Sequence, residues 1–230
     1  MSWKTAHRSF YYQGAPEPAD LVLSPQETAL LCIDVQNYGM VLHDDPAERA
    51  RWAPFHDRMR GTVIPTLRAL QDSFRANGID VLHARIAGLL DDGRDRSLSQ
   101  KMPGWNNLLM PTTSEASQII PELAPAPGEI VVTKTTDSAI TGTNLRLLLA
   151  NMGIRNVVVT GIYTDQCVSS TVRSLADESF NVVLVEDCCA AGTDALHEQE
   201  LEIMNMIYCH VVSSAELRDI MGLASSPSVP

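Results

Sequence analysis

The chain has 230 residues, 45% of them hydrophobic, and carries 17 basic against 28 acidic side chains for a formal charge of −11. That length and apolar content suit one large α/β domain and exclude a chain disordered throughout. The negative charge excludes nucleic acid and anionic membrane surfaces as favoured partners.

Residues 1–27 read as an N-terminal arm. They mix Lys4, Arg8 and Glu17 with Tyr11, Tyr12, Pro16 and Pro18, and we expect no secretory leader there. A short apolar run at 29–33 ends at Asp34, and similar runs follow at 79–83, 130–133, 157–160, 182–185 and 209–212. Each is bounded by Gly, Asn, Asp or Pro, and most are rich in Val and Ile. Runs of this kind without strict alternation predict strands buried on both faces, as in a parallel sheet. Helical spacing fills the gaps at 58–76, closed by Asn77-Gly78, and at 144–152, 165–177 and 194–207. Strand–helix alternation predicts a three-layer, doubly wound α/β fold with helices on both faces of the sheet.

Two stretches, 38–55 and 87–127, interrupt the rhythm. The second holds Trp105 and many prolines, and long loops of this kind form lids or oligomer contacts. Neither has the apolar content for a core of its own, so residues 1–230 read as a single domain ending in a flexible tail at 224–230. No run approaches the roughly 18 apolar residues that span a bilayer. Five cysteines with no CxxC spacing, two of them the adjacent Cys188 and Cys189, fit a reducing cytoplasm rather than a disulfide framework or zinc knuckle.

In open α/β sheets, ligands bind beyond the carboxyl ends of the strands. The expected strand ends bring a carboxylate (Asp34), an ammonium (Lys134) and a thiol (Cys167) towards one crevice. Taken singly, an Asp after a strand is a turn residue, a Lys is solvated and a Cys at a helix start is packing. Together they suit nucleophilic acyl transfer. Cys167 near a helix start is favoured as thiolate, Asp34 can take its proton, and Lys134 can stabilise both charges. Backbone N–H groups of Tyr163 and Cys167 can form an oxyanion hole.

Asp34-Val35-Gln36-Asn37, Lys134 and Gly161-Ile162-Tyr163-Thr164-Asp165-Gln166-Cys167-Val168 resemble the isochorismatase-like cysteine hydrolase superfamily, in order, across residues 28–213. The resemblance implies a six-stranded parallel sheet, Cys167 as nucleophile, Asp34 as acid/base and Lys134 as the third catalytic member. It further implies a cis peptide between Ile162 and Tyr163, an oxyanion hole from the Tyr163 and Cys167 amides, and a homodimer or homotetramer. No cofactor is implied.

Among the family's branches, true isochorismatases lack the cysteine that this chain has. Nicotinamidases carry a metal-binding Asp/His cluster; His43, Asp44, His56 and Asp57 do not match its spacing, so they read as a surface cluster and no metal is expected. Arg94-Asp95-Arg96-Ser97-Leu98 and Lys134-Thr135-Thr136-Asp137-Ser138 look most like ureido-type amidohydrolases such as biuret hydrolase, ureidoacrylate amidohydrolase and N-carbamoylsarcosine amidohydrolase. Ile140 stands where many relatives have Phe, which implies a wider pocket or one that lacks an aromatic wall. Gln36, Tyr38, Arg85, Trp105, Ser138 and Ile140 are the candidate substrate-binding residues. The expected function is cysteine-dependent hydrolysis of a C–N bond in a small amide, carbamoyl or ureido compound. The alternatives are a vinyl-ether hydrolase on the same site and an idle small-molecule-binding protein.

Overall fold

A computed structural model describes residues 2–223; the tail expected at 224–230 lies outside the described residues. The strands are β1 (Thr28–Ile33), β2 (Asp80–Ile86), β3 (Lys101–Met102), β4 (Asn106–Asn107), β5 (Ile130–Lys134), β6 (Asn156–Ile162), β7 (Asn181–Ala190) and β8 (His210–Val212). The α-helices are α1 (Asn37–Met40), α2 (Pro46–Arg58), α3 (Ile64–Ala76), α4 (Leu145–Asn151), α5 (Ser169–Asp177), α6 (Asp194–Met204) and α7 (Ser214–Met221). No helix among the described residues is long and apolar enough to cross a membrane.

Six strands form one sheet in the order β5-β2-β1-β6-β7-β8, and every pair in it is parallel. All six apolar runs are strands, as expected. In β1 every residue is buried, yet neighbours face opposite ways. Ala29, Leu31 and Ile33 join the core beneath α4, α5 and α6, whereas Leu30 and Cys32 join the core beneath α2, α3 and α7. This two-residue period with no polar face is why the strand reads as continuous hydrophobicity. Burial of such side chains contributes about 1.5–3 kcal/mol each before conformational entropy is charged against it.

Several boundaries differ from the expectation. The helix expected at 58–76 begins at Pro46, with a π-helical turn at Met59–Val63 between α2 and α3. Among α2 residues only Phe55 and His56 are buried, so its mostly polar sequence, with Pro54 inside, shows no apolar stripe to read. The first four residues of the helix expected at 165–177 wind instead within a π-helical turn, Thr164–Val168. Helix α6 stops three residues early, where Asn205 turns its amide onto the carbonyls of Ala6 and His7. Helix α7 was not expected, although Ser213 and Glu216 form a capping box and Gly222 closes it in the left-handed conformation. The N-terminal arm is tied down there too: Trp3 packs edge-on against His210 at 5.5 Å, and its amide donates to Glu216.

The chain leaves β1 towards β2 on one side, and β6 lies on the other. The crevice between the carboxyl ends of β1 and β6 is the topological switch point, where such sheets bind ligands. Gly161 sits at that crossing with φ +115°, and a Cβ there would lie 2.0 Å from the Ile33 carbonyl oxygen. Only glycine lets β6 approach β1 so closely.

Candidate active site

Asp34 follows β1 directly with φ +54°, a left-handed conformation that Asp tolerates better than most residues. Its neighbour Gln36 holds it there. The Gln36 amide donates to the carbonyls of Ile86 (3.0 Å) and Ser117 (2.8 Å), and its carbonyl accepts from the Ile86 amide at 3.0 Å. Gln36 therefore clamps the end of β1 to the end of β2. It lines the cavity, but its polar atoms are spent on that clamp.

Lys134 is the last residue of β5, and its side chain is fully enclosed. Its ammonium lies 2.6 Å from Asp34 Oδ2 and donates to the Thr136 carbonyl at 3.1 Å and to Cys167 Sγ at 3.3 Å. Cys167 is held by the turn that follows β6. The Ile162–Tyr163 bond is cis, and the Tyr163 carbonyl accepts from the amides of Gln166 (3.0 Å) and Val168 (3.2 Å). That winding brings the thiol back over the sheet at the entry to α5. One cation thus touches both a carboxylate and a thiol, all three more than nine-tenths buried.

Burial raises the Asp34 carboxyl above the ordinary carboxylate range, against the opposing pull of Lys134. Burial would by itself lower the Lys134 ammonium, but the facing Asp34 and Cys167 outweigh it and hold it above the ordinary lysine value. Burial first, and then the Asp34 charge, push the Cys167 thiol well up. This corrects the expectation of a resting thiolate: desolvation and a facing carboxylate outweigh Lys134 and the helix start. Neither Asp34 oxygen has a well-directed hydrogen bond, so lone pairs remain for a thiol proton. Iodoacetamide alkylation of Cys167 should accelerate only above the ordinary thiol value of about 8.5. A rate already at its plateau at pH 7 would contradict a neutral resting thiol.

A second group fixes the nucleophile turn from behind. Arg58 donates to the carbonyls of Cys189 (2.9 Å) and Glu186 (3.0 Å) and places Nη2 2.7 Å from His197 Nε2. Because arginine can only donate, His197 Nε2 accepts, and Nδ1 carries the proton that faces Thr164 Oγ1 at 2.8 Å. Burial and the neighbouring Arg58 push His197 down to about 3, so it stays neutral. His197→Ala strands both the buried Thr164 hydroxyl and Arg58. We expect a loss of about 2–3 kcal/mol in urea unfolding.

Above the three buried groups opens a cavity of about 440 Å³, within the usual range for small-molecule sites. Tyr38 and Trp105 line it as expected. Arg85, Ser138 and Ile140 do not. Arg85 is turned onto Gln118 Oε1 (2.7 Å) and Thr133 Oγ1 (3.2 Å). Ser138 donates to Ser174 Oγ at 2.9 Å, and Ile140 packs on the core beneath α4. The 87–127 stretch forms a wall of the cavity through Gln100, Trp105, Leu108 and Met110. Its β3–β4 hairpin sets their positions.

The sequence reading missed Asp137, Trp52 and His56 as lining residues. Asp137 lies in the Lys134–Ser138 segment, three residues after Lys134, and that spacing was the available signal. His56 is buried rather than part of a surface cluster, and His43 stacks on Trp52 at 5.9 Å. Among the described residues no group of three or more His, Cys, Asp or Glu side chains is placed to hold a metal ion.

A parallel α/β sheet carrying a buried carboxylate, ammonium and thiol at its switch point defines a hydrolase-like α/β protein with a cysteine site. The isochorismatase domain model matches residues 28–216. A ureidoacrylate amidohydrolase RutB from Pseudomonas savastanoi is 32% identical over 200 residues, covering 81% of this chain and 79% of that protein. Its namesake from Methylobacterium radiotolerans is 28% identical over 233 residues, covering 95% and 88%. The crystal structure of an isochorismatase family protein from Desulfovibrio vulgaris superposes with a TM-score of 0.70 at 29% identity, covering 85% of this chain and 98% of that one. The chain belongs to the isochorismatase family of hydrolases, on its amidohydrolase branch.

Proposed function

We propose that the protein is a cysteine amidohydrolase that cleaves a C–N bond in a small amide, carbamoyl or ureido substrate through a thioester. The carrying observation is the Lys134 ammonium, set 2.6 Å from Asp34 and 3.3 Å from Cys167 beneath the cavity. As an enzyme the chain is a hydrolase of carbon–nitrogen bonds other than peptide bonds.

In this mechanism Cys167 Sγ attacks the carbonyl carbon while Asp34 takes the thiol proton. The raised affinity of Asp34 for protons suits it to that step, and the high resting value of the thiol means transfer accompanies attack. Lys134 balances the charge on Asp34 and the sulfur throughout. The Tyr163 and Cys167 amides serve as donors to the oxyanion. Asp34 then passes its proton to the departing ammonia or amine, the thioester remains, and Asp34 activates water to release the acid. Asp34 protonated from the start cannot begin the cycle. The acid limb of kcat/KM should therefore lie above the ordinary carboxylate value of about 4. Five free, buried cysteines support action in a reducing compartment, the cytoplasm.

The test is ammonia release from nicotinamide, biuret, N-carbamoyl amino acids and ureidoacrylate. Release from at least one, lost in Cys167→Ala, is the expected result. Hydrolysis of a vinyl ether with no ammonia from any of these amides would overturn the reading.

A further inference from the structure

We infer that Asp137 is a specificity-determining residue that accepts N–H from nitrogen beside the scissile carbonyl, so that the cavity takes neutral or cationic N–H-rich amides and disfavours carboxylates. The inference rests on the amidohydrolase reading for the identity of the scissile bond. Asp137 Oδ1 lies 3.7 Å from Cys167 Sγ, and Gln100 Nε2 holds the same oxygen at 2.7 Å. A carbonyl carbon in reach of the sulfur places its substituent nitrogen in reach of this carboxylate. Gln100 occupies one oxygen, which leaves Oδ2 to receive a substrate N–H.

The charges around the cavity point the same way. Its acidic lining residues are Asp34 and Asp137, and among the described residues no Lys or Arg lines it. Lys134 lies beneath it, enclosed and paired to Asp34, so Asp137 is the carboxylate without a cation of its own. Arg85 and Arg96 are occupied elsewhere. Arg85 is turned onto Gln118, while Arg96 donates to the carbonyls of Gly93 (2.9 Å) and Gln100 (3.0 Å) and to Asn107 Oδ1 (3.2 Å). His56, which lines the cavity, is lowered by burial and by Arg60 and stays neutral. A carboxylate entering here meets no lysine or arginine on the cavity lining, and the Lys134 ammonium beneath it is already paired to Asp34.

Aromatic faces complete the site. Tyr38, Trp52, Trp105 and Tyr163 line the cavity, with Trp52 6.0 Å and Phe55 5.0 Å from the Tyr163 ring centre. Ring faces are electron-rich, and with an adjacent carboxylate they attract cations and planar N–H groups.

The test measures binding of benzamidine, benzamide and benzoate to Cys167→Ala by calorimetry. These probes share one ring and differ in charge and N–H count at the carbon that faces residue 167. The expected order is benzamidine tightest, then benzamide, with benzoate weaker than benzamide by roughly tenfold or more. Adding Asp137→Asn, which keeps the side chain's size, should shrink the benzamidine-to-benzoate ratio at least about tenfold. A merely structural role would weaken all three alike and leave that ratio unmoved. Benzoate binding as tightly as benzamide, no binding by any probe, or an unchanged ratio in Asp137→Asn would overturn the inference. Because binding is read without turnover, failure of the amidohydrolase reading shows separately, as an absence of ammonia release by the unmodified enzyme.

Discussion

Replacing Cys167 with alanine should lower turnover by at least about 10⁴-fold while the chain still folds. The loss is that large because the thiol is the atom that bonds to substrate, and no neighbour can substitute for it. Asp34 and Asp137 are carboxylates, and neither offers a thiol. The structural cost is small, since one sulfur is removed beside an open cavity, where the change should stay near 1 kcal/mol in denaturant unfolding. Cys167→Ser should also be poor. The hydroxyl binds its proton far more tightly than a thiol, and the single base Asp34 already serves a buried, hard-to-ionise group.

The Lys134→Met variant should lose both rate and stability. Met keeps the volume and removes the ammonium that lies 2.6 Å from Asp34 Oδ2. Breaking a buried pair by removing one partner costs about 3–5 kcal/mol, because the remaining charge is stranded. Asp34 evades part of that cost by holding its proton, which removes the base and should lower kcat/KM by about 10²–10⁴-fold at neutral pH. The pH dependence has a definite sign. Without Lys134 the folded-state value of Asp34 rises further above its unfolded value of about 3.9. Proton binding then favours the folded variant fully below that unfolded value, and the benefit is lost as pH rises through the folded one. The stability gap between the two proteins should therefore be smallest near pH 4 and widen upwards. A gap independent of pH in urea unfolding would argue that Lys134 and Asp34 do not act as an ion pair.

The readable parts of the fold were those set by local burial. The six strands stand out because residues such as Leu30 and Leu31 are buried on opposite faces of the sheet, so no polar position breaks the run. The three buried groups of the site were readable for a related reason: each lies at or just beyond a strand end, and the parallel topology gathers strand ends. Helix α2 could not be read, because its contact with the core is mainly Phe55 in a polar segment. The cavity wall from Gln100 to Met110 depends on how the β3–β4 hairpin folds over the sheet, which no short-range pattern encodes. Arg85, Ser138 and Ile140 were near the right place in the chain, but their side chains are turned away from the cavity. The thiol reads as a thiolate in the sequence because helix position is visible there and desolvation, the main cause of its raised value, is not.

The central claim is a covalent bond between Cys167 and the acyl or carbamoyl part of the substrate. Acid-quenching the enzyme during turnover of a slow amide, followed by intact-mass and peptide mass spectrometry, tests it most directly. We expect a mass increase equal to the substrate's acyl group less the thiol hydrogen it replaces, located on the peptide that contains Cys167 and absent from Cys167→Ala. Continued ammonia release by Cys167→Ala, or an adduct mapped to another residue, would contradict it.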